Sequence, residues 1–106
     1  MKKRREELGK ATYDLDELKK FIDKGNFYIT RNCRREYSKL GYSEDTVLEI
    51  IGKLPPTDIY KTMPAKKMPD LMQDVYHIKE EKDDLYIKLQ KSSCGEKCII
   101  IQFKLE

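Results

Sequence analysis

From Leu85 to Gln90, apolar residues alternate with Tyr86, Lys88 and Gln90, and the closing segment of the chain carries Gln102 and Lys104. A period of two is that of a strand, so Leu85, Ile87 and Leu89 share one face while Tyr86, Lys88 and Gln90 share the other. Ammonium groups, a phenol and primary amides fixed on strands can bind an anion, polarise it and pass it a proton. His77 is the only histidine in the chain. An unperturbed imidazole titrates near neutrality, so a histidine is naturally suited to shuttle protons there. Basic residues also cluster at Lys2–Arg5, at Arg31, Arg34 and Arg35, and at Lys61, Lys66 and Lys67. Phosphate backbones attract such clusters because binding releases condensed counterions. Solvated lysines on an open antiparallel face give the same pattern, so no one of these features names a ligand.

Other chemistries find less support. Glu80, Glu81, Asp83 and Asp84 form the main acidic cluster. They fall in a turn, and no carboxylates sit on adjacent strands to clamp a pair of metal ions. There is no Gly-rich phosphate loop and no Ser/His/Asp set. Cys94 and Cys98 flank Gly95, but a structural zinc usually takes four closely spaced ligands and His77 is the single histidine available. Turn residues are the better reading, and neither a metal nor a cofactor is expected. Three cysteines are an odd count that argues against a disulfide framework, which makes a reducing cytoplasm the simplest compartment. No run approaches the roughly 18 apolar residues of a membrane span. The basic N-terminus is followed by Glu6-Glu7 rather than an apolar stretch, unlike a secretory signal. The net charge of +3, from 22 basic and 19 acidic residues, neither demands nor excludes a polyanionic partner.

The elements that would position these groups can be read in order. The 106 residues suit one domain spanning 1–106, large enough to bury a core without disulfides. Residues 1–12 are polar and expected to form a flexible tail. Asp14 and Glu17 make a capping-box-like start to a helix bearing Leu15, Leu18, Phe21 and Ile22, which Gly25 stops. Phe27–Ile29 reads as a short extended piece. Thr30 caps a helix with Cys33, Tyr37 and Leu40 on one stripe, closed by Gly41; Ser43 caps another with Val47, Ile50, Ile51 and Leu54, ended by Pro55-Pro56. Extended segments follow at 57–63, 71–78, 85–91 and 97–104, with turns at 79–84 and 92–96. Strict alternation in the last of these places Ile99, Ile101 and Phe103 on the core face with Leu85, Ile87 and Leu89. Gln102 and Lys104 then fall on the other face, along with Cys98 and Ile100. Helices first and a strand meander second predict an α+β fold, with N-terminal helices on one face of an antiparallel sheet formed by the C-terminal half.

Several short motifs, in order, resemble one family. They are Leu18-Lys19-Lys20 with Gly25, Thr30-Arg31, Leu40-Gly41, Ile50-Ile51-Gly52, Thr57–Met63, Met72–Tyr76, Leu85–Lys88 and Ile101–Lys104. Together, over roughly residues 15–106, they resemble the MqsR toxins, whose fold is related to the RelE-like ribonucleases. The resemblance implies the toxin of a type II toxin–antitoxin pair, a metal-independent, sequence-selective mRNA interferase that leaves a 2′,3′-cyclic phosphate and a 5′-hydroxyl. It implies mRNA as substrate and an MqsA-like antitoxin, zinc-bearing and DNA-binding, as partner. Lys61, Gln73, Tyr86 and Lys104 match positions of the family's catalytic face, and Tyr60 and Met63 match neighbouring site positions. Lys88 and Arg31 are further candidates for contact with RNA. Two departures stand out: His77 stands where better-known members have arginine, and the N-terminal segment lacks a histidine that some members place near the site.

On this reading Lys61 and Lys104 stabilise the crowded phosphate, Gln73 orients it and Tyr86 donates or passes a proton. His77 is a candidate general acid or base, because such a group works best with a pKa near the operating pH. An ordinary lysine, with a pKa near 10.4, stays protonated at neutral pH unless burial beside another cation lowers it. Two alternatives remain open: a catalytically inactive RNA-binding module of the same fold, and a partner-binding module with no nucleic-acid role.

Overall fold

The computed structural model describes residues 7–106, so the basic cluster Lys2–Arg5 lies outside the described residues. Three helices are followed by four long strands. They are α1 (Leu15–Asp23), α2 (Arg31–Lys39), α3 (Glu44–Gly52), β3 (Ile59–Pro64), β4 (Met72–Glu80), β5 (Asp83–Lys91) and β6 (Cys98–Leu105). Two short N-terminal strands, β1 (Glu7–Leu8) and β2 (Phe27–Ile29), complete a six-stranded sheet in the order β1-β3-β4-β5-β6-β2. Every pairing is antiparallel except that of β2 with β6. The architecture is the α+β fold expected, with the C-terminal strands at the centre of the sheet and N-terminal pieces at both edges.

Each helix begins where its capping side chain begins it. Asp14 accepts from the backbone N–H of Asp16, Thr30 from Cys33 and Ser43 from Thr46. These bonds satisfy backbone donors that the first helical turn leaves without partners. Gly25 and Gly41 follow α1 and α2 with φ of +82° and +89°, a conformation that glycine adopts without steric cost. Glu17 pairs with Lys91 at 2.8 Å, tying α1 to β5. The apolar stripes meet as their spacing requires: Leu15, Leu18, Cys33, Tyr37, Val47, Ile50, Ile51 and Leu54 pack on Ile29, Tyr76, Leu85, Ile87, Leu89, Cys98, Ile100 and Phe103.

Two features differ from the sequence reading. Part of the segment expected to be a tail is tied down. Glu7 and Leu8 pair with Thr62 and Lys61, and the buried carboxylate of Asp74 accepts from the backbone N–H groups of Thr12 and Tyr13 at 2.9–3.0 Å. A fully buried carboxylate needs such donors, and Asp74 finds them in the passing chain. Second, β6 does not alternate strictly. Lys88 lies opposite Gln102 but Leu89 lies opposite Ile100, so Ile101 is an extra residue on β6. This β-bulge shifts the phase of the strand. Cys98 and Ile100, rather than Ile99 and Ile101, therefore enter the core, while Phe103 stays in it and Lys104 stays opposite.

Candidate active site on the open face of the sheet

Cross-strand register decides which side chains meet. Lys61 lies opposite Val75, Val75 opposite Lys88, and Lys88 opposite Gln102; one step along, His77 lies opposite Tyr86 and Tyr86 opposite Lys104. Residues directly opposite one another point to the same face. Lys61, Gln73, His77, Tyr86, Lys88 and Lys104 therefore share the face of the sheet that the helices leave uncovered. Tyr60 joins them through a second bulge, between Ile59 and Lys61. Its ring stacks on His77, with centroids 4.0 Å apart and planes 17° apart.

Tyr86 stands among the cations. Lys104 Nζ is 4.9 Å from its ring centroid and Lys88 Nζ 5.9 Å, while the His77 ring is 5.7 Å away on the β4 side. Lys61 Nζ lies 5.7 Å from the Tyr60 ring. Ammonium groups this close to aromatic faces are held by the ring quadrupole. Between Lys61 and Lys88 in the register, Val75 is fully buried although it faces away from the helices. The methylene stems of its lysine neighbours can cover it. Lys88 is a perturbed cation. Partial burial pushes its ammonium below the usual lysine range, and the charges of Lys104, Lys61 and Lys66 push it further, against a smaller opposing effect of Glu36.

Beside this cluster a cleft of about 500 Å³ is lined by Met63, Gln73, Lys66, Lys88, Gln90 and Glu36, among others. The amides of Gln73 and Gln90 are joined across the strands at 2.9 Å, which fixes both. Glu36 reaches the cleft from α2 because β2 is only three residues long and leaves the far part of β6 without a strand neighbour. Helix α2 covers that edge instead: Thr30 Oγ1 donates to the Ile101 carbonyl and the Phe103 N–H donates to Glu36. Such capping removes donors and acceptors that an exposed edge would offer to another chain.

The arrangement brings together the four residues that match the family's catalytic face, and Tyr60, Met63 and Lys88 with them. Arg31 is exposed, between Thr30 and Asn32, which line the cleft, but is not one of the lining residues. His77 faces the cluster, yet its Nδ1 lies 3.4 Å from Glu106 Oε2 and its Nε2 is buried without a hydrogen-bond partner. Sequence reasoning missed Glu36, whose place follows from the shortness of β2, a tertiary fact with no signal in the local pattern of α2. Cys94 is exposed in a turn beside Ser92, whereas Cys98 is buried in the core, where burial pushes its thiol up to about 12. Among the described residues no three His, Cys, Asp or Glu side chains group to hold a metal ion, and no helix is long and apolar enough to cross a membrane.

A family profile described as "Motility quorum-sensing regulator, toxin of MqsA" matches residues 10–105. The chain belongs to the MqsR toxin family. That match spans nearly the whole chain, from just before the anchored Thr12 to the end of β6. Membership makes the protein one of the toxins of toxin–antitoxin systems and implies an antitoxin of the MqsA type as its partner. No curated protein matches the chain.

Proposed function

We propose that the protein is a metal-independent, sequence-selective endoribonuclease that cuts mRNA by attack of the RNA's own 2′-hydroxyl, and so inhibits translation and growth. The observation that carries this reading is the gathering of Lys61, Lys88 and Lys104 around Tyr60 and Tyr86 on one open face. Like charges held together on half-buried lysines oppose folding, and a bound phosphodiester relieves that repulsion. In-line attack builds negative charge on the phosphate oxygens, and fixed cations at that place lower the barrier without reorganising. Lys61 and Lys104 are assigned this role. Gln73, fixed by Gln90, orients the phosphate. Tyr86 gives its proton to the departing 5′-oxygen, leaving a 2′,3′-cyclic phosphate and a 5′-hydroxyl. Met63 and the adjoining cleft receive a nucleotide next to the cut, and Arg31 contacts the strand beyond it.

His77 serves here as a platform. Its ring carries Tyr60, one nitrogen faces Glu106 and the other is buried, so neither is aimed at a substrate. Stacking on Tyr60 suits an unpaired base, since single-stranded RNA is read by aromatic faces. By the family's pattern the protein works in the cytoplasm and is held silent by a zinc-bearing, DNA-binding antitoxin.

The test is the purified, antitoxin-free protein incubated with a defined RNA in EDTA. Cleavage with cyclic-phosphate and 5′-hydroxyl ends is expected. Intact RNA, bound with a steep salt dependence, would instead mark an RNA-binding module without catalysis.

A further inference from the structure

Tyr86, Lys61 and Lys104 give the proposed reaction an acid and two cations, but nothing yet takes the proton from the 2′-hydroxyl. His77 has one nitrogen at Glu106 and the other buried, and Glu36, the carboxylate that lines the cleft, is occupied by the Phe103 N–H and the Gln102 amide. One group on this face stands apart from the rest. Lys88 sits at the middle of the open face, between Val75 and Gln102 in the register, and it borders both Tyr86 and the cleft. The charges that act on it most come from other elements: Lys104 on β6, Lys61 on β3, Lys66 in the loop after β3 and Glu36 on α2.

We propose that Lys88 is the general base of RNA cleavage, acting from its neutral amine, with the two flanking lysines serving as fixed cations. This rests on the ribonuclease reading above. The Lys88 amine takes the 2′-hydroxyl proton and becomes an ammonium. The 2′-oxygen forms its bond to phosphorus as the bond from phosphorus to the 5′-oxygen breaks, and the 5′-oxygen takes its proton from Tyr86. Solvent then removes a proton from Lys88 and returns one to Tyr86, so the enzyme is unchanged. The lowered position of Lys88 supports this: a base is most effective when its pKa lies near the working pH, and an ordinary lysine would be almost wholly protonated there. The division of labour follows from burial and charge. A half-buried lysine beside like charges gives up its proton more readily than an isolated one.

The experiment compares the parent, Lys88→Ala, Lys88→Arg and a Lys88→Cys variant aminoethylated to thialysine, on one RNA across pH. Exposed Cys94 is changed to Ser in that last background, and Cys33 and Cys98 are buried away from the reagent. Arginine keeps the charge but does not release a proton at accessible pH. A general base contributes about 10²- to 10⁴-fold, so Ala and Arg should lose rate alike on that scale. Thialysine, a weaker base on a near-identical stem, should recover cleavage and move the rising limb of the pH–rate profile to lower pH; its recovery also shows that the altered site still folds. An arginine variant within tenfold of the parent, or a thialysine profile with an unmoved limb, overturns the proposal and leaves the nuclease reading intact. A parent that leaves the RNA uncut overturns both.

Discussion

The two faces of the central sheet are built from alternate residues of the same strands and obey opposite rules. On the helix side, Leu85, Ile87 and Leu89 are all fully buried with apolar partners, and their contribution scales with the area removed from water. On the other side, Tyr86, Lys88 and Lys104 are half-buried among like charges. The first face stabilises the fold. The second sets like charges beside one another, a repulsion that opposes folding and that a bound anion would relieve. A face kept against its own electrostatics is the better guide to function than the face that obeys burial.

Substitutions at neighbouring positions can break this comparison. The largest effect is expected from Lys61→Ala with Lys104→Ala: losing a preorganised charge-stabilising group costs about 10²- to 10³-fold in rate each, near 2.7–4 kcal/mol. Thermal unfolding of that double variant should stay close to the parent; if it collapses while cleavage survives, the roles of the two faces are reversed. Next comes Ile87→Ala, one residue from both Tyr86 and Lys88 yet on the core side, which should lower unfolding stability by about 2–5 kcal/mol in urea titration. Asp74→Ala would strand the backbone donors of Thr12 and Tyr13, and about 1.5–3 kcal/mol is expected for hydrogen bonds to a charged group. Hydrogen exchange should show the loosening concentrated around residues 7–13.

The smallest effect has the opposite sign. Lys88→Met removes a crowded cation while keeping its stem, so melting temperature should rise slightly, by the equivalent of at most about 1 kcal/mol. Its pH dependence sharpens the point. The folded-state pKa of Lys88 is depressed, so between that value and the ordinary lysine value the unfolded chain holds more protons. Over that window parent stability gains from this group as pH rises, and Lys88→Met should lose that gain. A flat difference between the two proteins across the alkaline range would remove the electrostatic argument.

The chain's local pattern determined its helices, their caps and its strands, because capping bonds and side-chain periodicity act over a few residues. Asp14, Thr30 and Ser43 sit where the helices start, and Leu85 to Gln90 alternate as written. It also supplied the candidate site residues, through motifs that resemble a family. Tertiary structure alone decided the rest. The bulge at Ile101 inverted the faces of Ile99 and Ile101, because one unpaired residue shifts a period-two pattern and only the pairing with β5 reveals it. The anchoring of Thr12 by Asp74, the reach of Glu36 past a short β2 and the crowding of Lys88 by Lys61, Lys66 and Lys104 all join residues distant in the chain. Periodicity says which way a side chain points, but only packing says what waits there, and the strength of a charge depends on its neighbours in space.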